Sequence, residues 1–277
     1  MPQSDLSWTL PIMRAGYAGR GLTYLAIAGF SLWAISRGGD AKGTGSALQS
    51  LESSGGGYAV LALIALGLSA YFVWRLVDAY WDLEAYGTGA KGIIARAGMV
   101  VTGLIHAALA IAALSLIFGS GSGGNSAVIT YVGKALSVPF GRWLIGIAGV
   151  CTIGAGIYYG YKGLAGKYRE HLRGNSFTMN WNWVLKAGLL AQGVIVGLIG
   201  FFLIRAAILG QPEEAGGLDK VFDFLESQAF GKVIVVAICL GLLGFAVFCF
   251  VNVRYRIVPR VADDGIETLA ARIAAAI

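Results

Sequence analysis

Apolar residues along this chain do not alternate with polar ones. They gather into six long blocks, at about 13–36, 57–82, 94–118, 141–165, 183–209 and 231–255. Each is near the ~20 residues an α-helix needs to cross a ~30 Å hydrocarbon layer. The pattern predicts six transmembrane helices. The connections after the first, third and fifth blocks are long, and each carries a short amphipathic piece before the next block. Val128–Leu136 and Leu218–Leu225 place apolar residues at helical spacing and predict short helices lying on the membrane surface. Phe140-Gly141-Arg142 and Phe230-Gly231-Lys232 then open the following blocks at matching places, where the first unit keeps only Gly57-Tyr58.

The blocks are paired by an internal repeat. Arg14-Ala15-Gly16 is followed by Gly21, Arg96-Ala97-Gly98 by Gly103, and Lys186-Ala187-Gly188 by Gly193. The shared frame is a basic residue, Ala, Gly, a variable stretch and a second Gly, and the copies lie roughly 80–90 residues apart. One repeat is therefore one helical hairpin, giving units at 10–86, 92–173 and 182–258 and a tail at 259–277. A unit with two crossings returns the chain to the same side, so all three share one orientation. Repeats of that kind are related by an axis along the membrane normal. The expected fold is an all-α membrane protein, a pseudo-threefold bundle of six helices.

Helix association in lipid rests on close packing, which favours small residues at interfaces. Gly16, Gly21, Gly98, Gly103, Gly188 and Gly193 are the expected close-approach points. Beside them runs a polar stripe. Gly16, Arg20 and Tyr24 are four apart and share a helical face, as do Gly98, Thr102 and His106, and Gly188, Gln192 and Val196. The position occupied by Arg20, Thr102 and Gln192 is polar in every copy. An ionisable residue inside a membrane is a functional candidate by default. Two readings stand side by side: a cluster lining a cavity, or interhelical hydrogen bonding with Arg20 snorkelling to the interface. On the second helix of unit one, Arg75 and Asp78 are three apart and can pair with each other, or Asp78 can pair with Arg20. Lys162 and Asn252 stand roughly where Arg75 does in the other two units.

Composition agrees with a membrane class. Apolar residues make up 57% of the chain and charged ones 13%, the mean hydropathy is +0.71, and glycine (42) far outnumbers proline (5); soluble domains carry about 25% charge. Met1 to Leu10 lack a basic region followed by a short apolar run, so no cleavable signal peptide is expected. Trp8, Trp81, Trp143, Trp181 and Trp183 fall near helix ends, as an interfacial belt requires. Of the 21 Lys and Arg residues, Arg37, Lys42, Lys134, Arg142, Arg205, Lys220 and Lys232 fall on one side and the rest on the side of the N-terminus. The positive-inside rule then puts both termini in the cytoplasm. The opposite loops agree in character: Gly119–Ser126 is rich in Gly and Ser, and the last is acidic. Arg205 reads as an interfacial anchor. The net charge of +6 calls for no nucleic acid, because basic loops beside an anionic leaflet account for it.

No catalytic or cofactor motif rises out of the sequence. His106 and His171 lie at different depths and cannot sandwich a haem. Cys151, Cys239 and Cys249 are scattered and form neither a Cys-x-x-Cys pair nor a zinc site. No Walker loop or metalloprotease signature occurs, and the glycine pairs do not follow strands. The tail, with Asp263, Asp264 and Glu267 early and Arg272 late, suits a helix dipole. Leu269, Ile273 and Ile277 share a face there, for a membrane surface or for a partner.

The tripled basic-Ala-Gly helix, with the Trp74-Arg75-Leu76-Val77 second helix of unit one, resembles the bacterial membrane family catalogued as domain of unknown function 1206. The resemblance covers about residues 10–258. It implies three tandem two-helix units in the bacterial inner membrane, and it supplies no activity, cofactor or catalytic residue. The expected role is that of a non-enzymatic scaffold or accessory subunit whose partners are the bilayer, with anionic lipid at the basic loops, and other membrane subunits. The alternative is a small channel or carrier with a polar path near Arg20, Thr102, His106 and Gln192.

Overall fold

The computed structural model describes residues 6–119, 124–262 and 265–275, with the backbone alone for 124–127. The ends of the chain, part of the Gly119–Ser126 loop, Asp263, Asp264 and Ile277 lie outside the described residues. The long helices are α1 (Thr9–Ser36), α3 (Gly57–Trp81), α4 (Ala90–Ile117), α6 (Gly141–Leu164), α8 (Asn182–Leu209) and α10 (Gly231–Tyr255). Short helices α2 (Thr44–Glu52), α5 (Gly124–Leu136) and α9 (Leu218–Glu226) precede α3, α6 and α10. Helices α7 (Ser176–Asn180) and α11 (Leu269–Ala274) lie at the opposite end of the bundle. Among the described residues, α3, α4, α6, α8 and α10 are long and apolar enough to cross a membrane. Helix α1 has the length at 28 residues but carries Arg14 and Arg20 and is not among them.

Every unit has the same device at its far turn. A residue in the left-handed conformation precedes the second long helix: Gly56 (φ 80°), Phe140 (φ 63°) and Phe230 (φ 60°). The glycine after it is required by space. A Cβ would lie 1.6 Å from the Leu51 carbonyl oxygen at Gly57, 1.8 Å from that of Ala135 at Gly141, and 2.3 Å from that of Glu226 at Gly231. The short helix thus ends directly on the start of the long one. Unit one has this piece as α2, as expected of its connection, though the sequence pattern did not place its residues. Helices α2, α5 and α9 also touch one another and cap the far end of the bundle.

The glycine frame explains the packing order. The second glycine of each copy meets the second helix of the preceding unit, cyclically. A Cβ at Gly21 would reach 2.9 Å from the Phe250 ring on α10, at Gly103 3.1 Å from Arg75 Cβ on α3, and at Gly193 2.9 Å from the Gly156 carbonyl on α6. The first glycine meets the second helix of its own unit: Gly16 comes 2.7 Å from Tyr71 Cα on α3, and Gly188 2.4 Å from Phe245 N on α10. Gly98 breaks the rule. It is exposed and a Cβ there would meet nothing within 4 Å, so it is not the close-approach point that the repeat suggests. The matching position on α6 is open as well. Counted from Gly57, Gly141 and Gly231, the places of Tyr71 and Phe245 are taken in unit two by Ala155, which is itself exposed. The same register sets Lys162 and Asn252 opposite Asp78 rather than Arg75. Helices α4 and α6 share no substantial packing, and the six long helices follow one another in space as α4–α3–α1–α10–α8–α6. The two helices of the middle unit, α4 and α6, thus stand at the two ends of this order.

The end that carries the N-terminus is closed by the chain itself. Leu172 pairs with Arg256 and Arg173 with Thr268 in antiparallel bridges, and Leu269 N–H donates to the Leu172 carbonyl at 2.7 Å. Tyr168, Leu172, Val258 and Leu269 are buried in one cluster with Met13, Trp74 and Phe248. The described part of the tail thus packs on its own chain through Leu269 and Ile273. Trp8 and Trp81 meet edge to face at 6.1 Å at this end, whereas Trp74 is fully buried in the core.

Candidate functional site

The polar stripe converges only in part, and its centre is Arg20. It lies near the middle of α1, roughly 17 Å from the helix start at 1.5 Å per residue, and only 4% of its surface is exposed. Close glycine approaches draw α1 onto α3 and α10, so aromatic side chains of all three helices enclose the guanidinium. Its carbon lies 4.7 Å from the Tyr71 ring centroid, 5.2 Å from that of Phe245 and 6.0 Å from that of Tyr24. Nη1 donates to the Tyr71 hydroxyl at 2.8 Å, while Nε has no partner. Arg20 is thus held deep in the bundle and does not snorkel.

Tyr71 joins Arg20 to the second cation. Arg75 Nε donates to the same hydroxyl at 3.1 Å, and Arg75 Nη1 donates to Asp78 Oδ2 at 2.9 Å. Of the two pairings open to Asp78, the one with Arg75 is formed. Gln192 reaches the site from α8, its Nε2 donating to the Tyr24 hydroxyl at 2.8 Å. His106 comes from α4, buried, with its ring 4.6 Å from that of Tyr71. Its Nδ1 is 2.7 Å from the Thr102 carbonyl, which can only accept, so Nδ1 carries the proton. Thr102 itself is not brought in. Its hydroxyl donates to the Gly98 carbonyl one turn back, at 2.7 Å on the open side of α4.

Beside Arg20 lies a cavity of about 30 Å³ lined by Arg20, Thr23, Tyr24, Ile27, Thr44, Leu68, His106 and Leu109. That volume admits about two waters. Gln192 and Thr102 do not line it.

A second polar cluster, absent from the sequence reading, ties the N-terminal end together. Glu84 is buried just past α3, where both Arg256 and His171 reach it. Arg256 Nε donates to its Oε1 at 3.2 Å, with a shorter contact from Arg256 Nη2, and His171 Nδ1 lies 3.2 Å from its Oε2. Burial raises the Glu84 carboxyl, but Arg256 and His171 outweigh it and hold the group at about 2. Burial likewise pushes His171 down, against the pull of Glu84. Asp82 accepts from the Tyr86 and Gly87 backbone N–H groups at 2.9 and 2.8 Å and from Arg260 at 3.1 Å. Two acids on a mostly basic side were the available signal. At the far end Arg205 pairs with Glu214 at 3.2 Å. Among the described residues no group of three or more His, Cys, Asp or Glu side chains could hold a metal ion.

The helices and their tandem glycine frame define a multi-pass α-helical membrane protein of repeated hairpins. The family described as Domain of Unknown Function (DUF1206) matches three times, over residues 15–82, 97–166 and 187–256, and the chain belongs to it. The chain is similar to the "Uncharacterized protein YxxB" of Bacillus subtilis (strain 168). The two are 28% identical over 258 residues, which span 92% of this chain and 94% of that protein. No solved structure matches.

Proposed function

We propose that the protein is a non-enzymatic subunit of a larger complex in a bacterial inner membrane. All six long helices span in this reading, both termini are cytoplasmic, and the pseudo-threefold order is completed only when a helix of another membrane protein seats between α4 and α6. The observation that carries it is the open middle unit. The apolar windows of α4 and α6 are 28% and 11% buried, against 44% for each of α3, α8 and α10. Each of the two helices presents a glycine, Gly98 and Gly154, at which a Cβ would meet nothing within 4 Å. Small residues of this kind let a neighbouring backbone approach closely in lipid. A carrier is the weaker reading, because the cavity beside Arg20 is small and two of the four residues expected along a path do not line it. The test is native mass spectrometry of the protein released mildly from its own membrane. A discrete second polypeptide bound to it is the expected result, and a chain that flies only alone or with lipid would overturn the reading.

A further inference from the structure

We propose that the cavity beside Arg20 is a binding site for a small inorganic monoanion, of the size and charge of chloride or bromide. The argument begins with an uncompensated charge. Arg20 stays protonated at any physiological pH, and taking such a cation out of water is costly unless an anion pairs with it. Among the described residues no carboxylate forms an ion pair with it, and Asp78 on the facing helix is held by Arg75. What surrounds the guanidinium is the hydroxyls of Tyr71 and Tyr24 and three aromatic rings. These offset part of the cost and leave the positive charge in place.

The cavity meets that charge with the right chemistry. Arg20 Nε is buried without a partner, and Arg20 lines the space. The Tyr24 hydroxyl, also on the wall, has its oxygen occupied by Gln192 Nε2, so its proton is free to donate. Thr23 is on the wall too, but its hydroxyl donates to the Gly19 carbonyl at 2.9 Å. Ile27, Leu68 and Leu109 add apolar surface, which favours an ion that sheds its water readily, and the wall also includes His106, whose Nδ1 proton is held by the Thr102 carbonyl. The space, which admits about two waters, takes a halide, and too few donors face it to satisfy the four oxygens of a sulfate or phosphate. Thr44, at the start of α2, places one edge of the cavity under the cap of short helices. This site stands on residues of units one and two and does not depend on the partner proposed above.

The test uses the full-length protein purified in a halide-free gluconate buffer, with sodium bromide as the probe at constant ionic strength. Bromide is expected to raise the unfolding temperature along a saturating single-site curve, as a ligand of the native state does, while equimolar gluconate or sulfate does not. Anomalous diffraction from bromide-soaked crystals should show a peak within hydrogen-bond reach of Arg20 Nε and the Tyr24 hydroxyl. Arg20→Gln should abolish the bromide response and Tyr24→Phe should weaken it about tenfold, one lost charge-assisted hydrogen bond being worth about 1.5 kcal/mol. Arg14→Gln, at an exposed position of the same helix, should retain it. The proposal fails if the map shows only water beside Arg20, or if Arg20→Gln responds to bromide as the parent does. Should Arg20→Gln not fold, the map of the unaltered protein decides alone.

Discussion

Two substitutions of equal chemistry, Gly188→Ala and Gly98→Ala, separate the glycine that packs from the one left open. Each adds one Cβ to the same place in the repeat, on the first helix of its unit. At Gly188 that atom would sit 2.4 Å from Phe245 N, a backbone atom that no rotamer change can move. Helices α8 and α10 must part by about 1 Å to restore ordinary contact. Overpacking of this kind costs about 1–3 kcal/mol. At Gly98 the Cβ meets nothing within 4 Å. The gain in helix propensity, about 1 kcal/mol, is common to both and cancels in the comparison. Gly188→Ala should therefore be about 1–3 kcal/mol less stable than Gly98→Ala, and at about 2–4 °C per kcal/mol for a chain of this size the midpoints should differ by about 2–12 °C. A thiol-reactive dye gives the readout, since Cys239 and Cys249 are buried and become reactive on unfolding, while exposed Cys151 sets the baseline. Equal midpoints for the two variants would refute the packing order drawn from the glycine frame.

Other perturbations probe other parts of the bundle. Glu84→Gln leaves Arg256 without its carboxylate and should cost about 3–5 kcal/mol, measured by the same dye assay at neutral pH. Because Glu84 is depressed from 4.5 to about 2, its contribution is whole above pH 4.5 and lost as the pH falls towards 2. A stability profile between those values should slope steeply for the parent and less for Glu84→Gln. Phe140→Gly and Phe230→Gly each remove a side chain from an exposed left-handed position. Each should raise stability by about 0.5–1 kcal/mol, and a loss of 1 kcal/mol or more would show that these rings pack on something.

The helices were legible because hydrocarbon thickness and composition act locally. The expected 57–82, 141–165 and 231–255 became Gly57–Trp81, Gly141–Leu164 and Gly231–Tyr255. The polar stripe was legible as a stripe, not as a site. Arg20, His106 and Gln192 turn inward, while Thr102 faces the open side, since the direction of each face depends on which neighbour it packs against. That neighbour is chosen far away in sequence: the first helices of the three units read alike, while the second helices differ, with Ala155 standing where Tyr71 and Phe245 stand. Aligning the second helices on their opening glycines would have revealed it. The Glu84–Arg256–His171 cluster was hidden for the same reason, because its members meet only when the tail folds back across the bundle. A short helix was expected in the first connection as in the other two, but its residues were not placed, because polar Thr44–Glu52 carries few apolar residues.

The most direct test of the open middle unit is photo-crosslinking in the native membrane, with a photoreactive amino acid placed in turn at Gly98, at Ala155 and, as a lipid-facing control, at Leu66. The account predicts one discrete adduct with a second polypeptide from Gly98 and Ala155 and none from Leu66. Adducts joining α4 to α6 within one chain, with no second polypeptide captured, would show that the middle unit closes on itself and would contradict it.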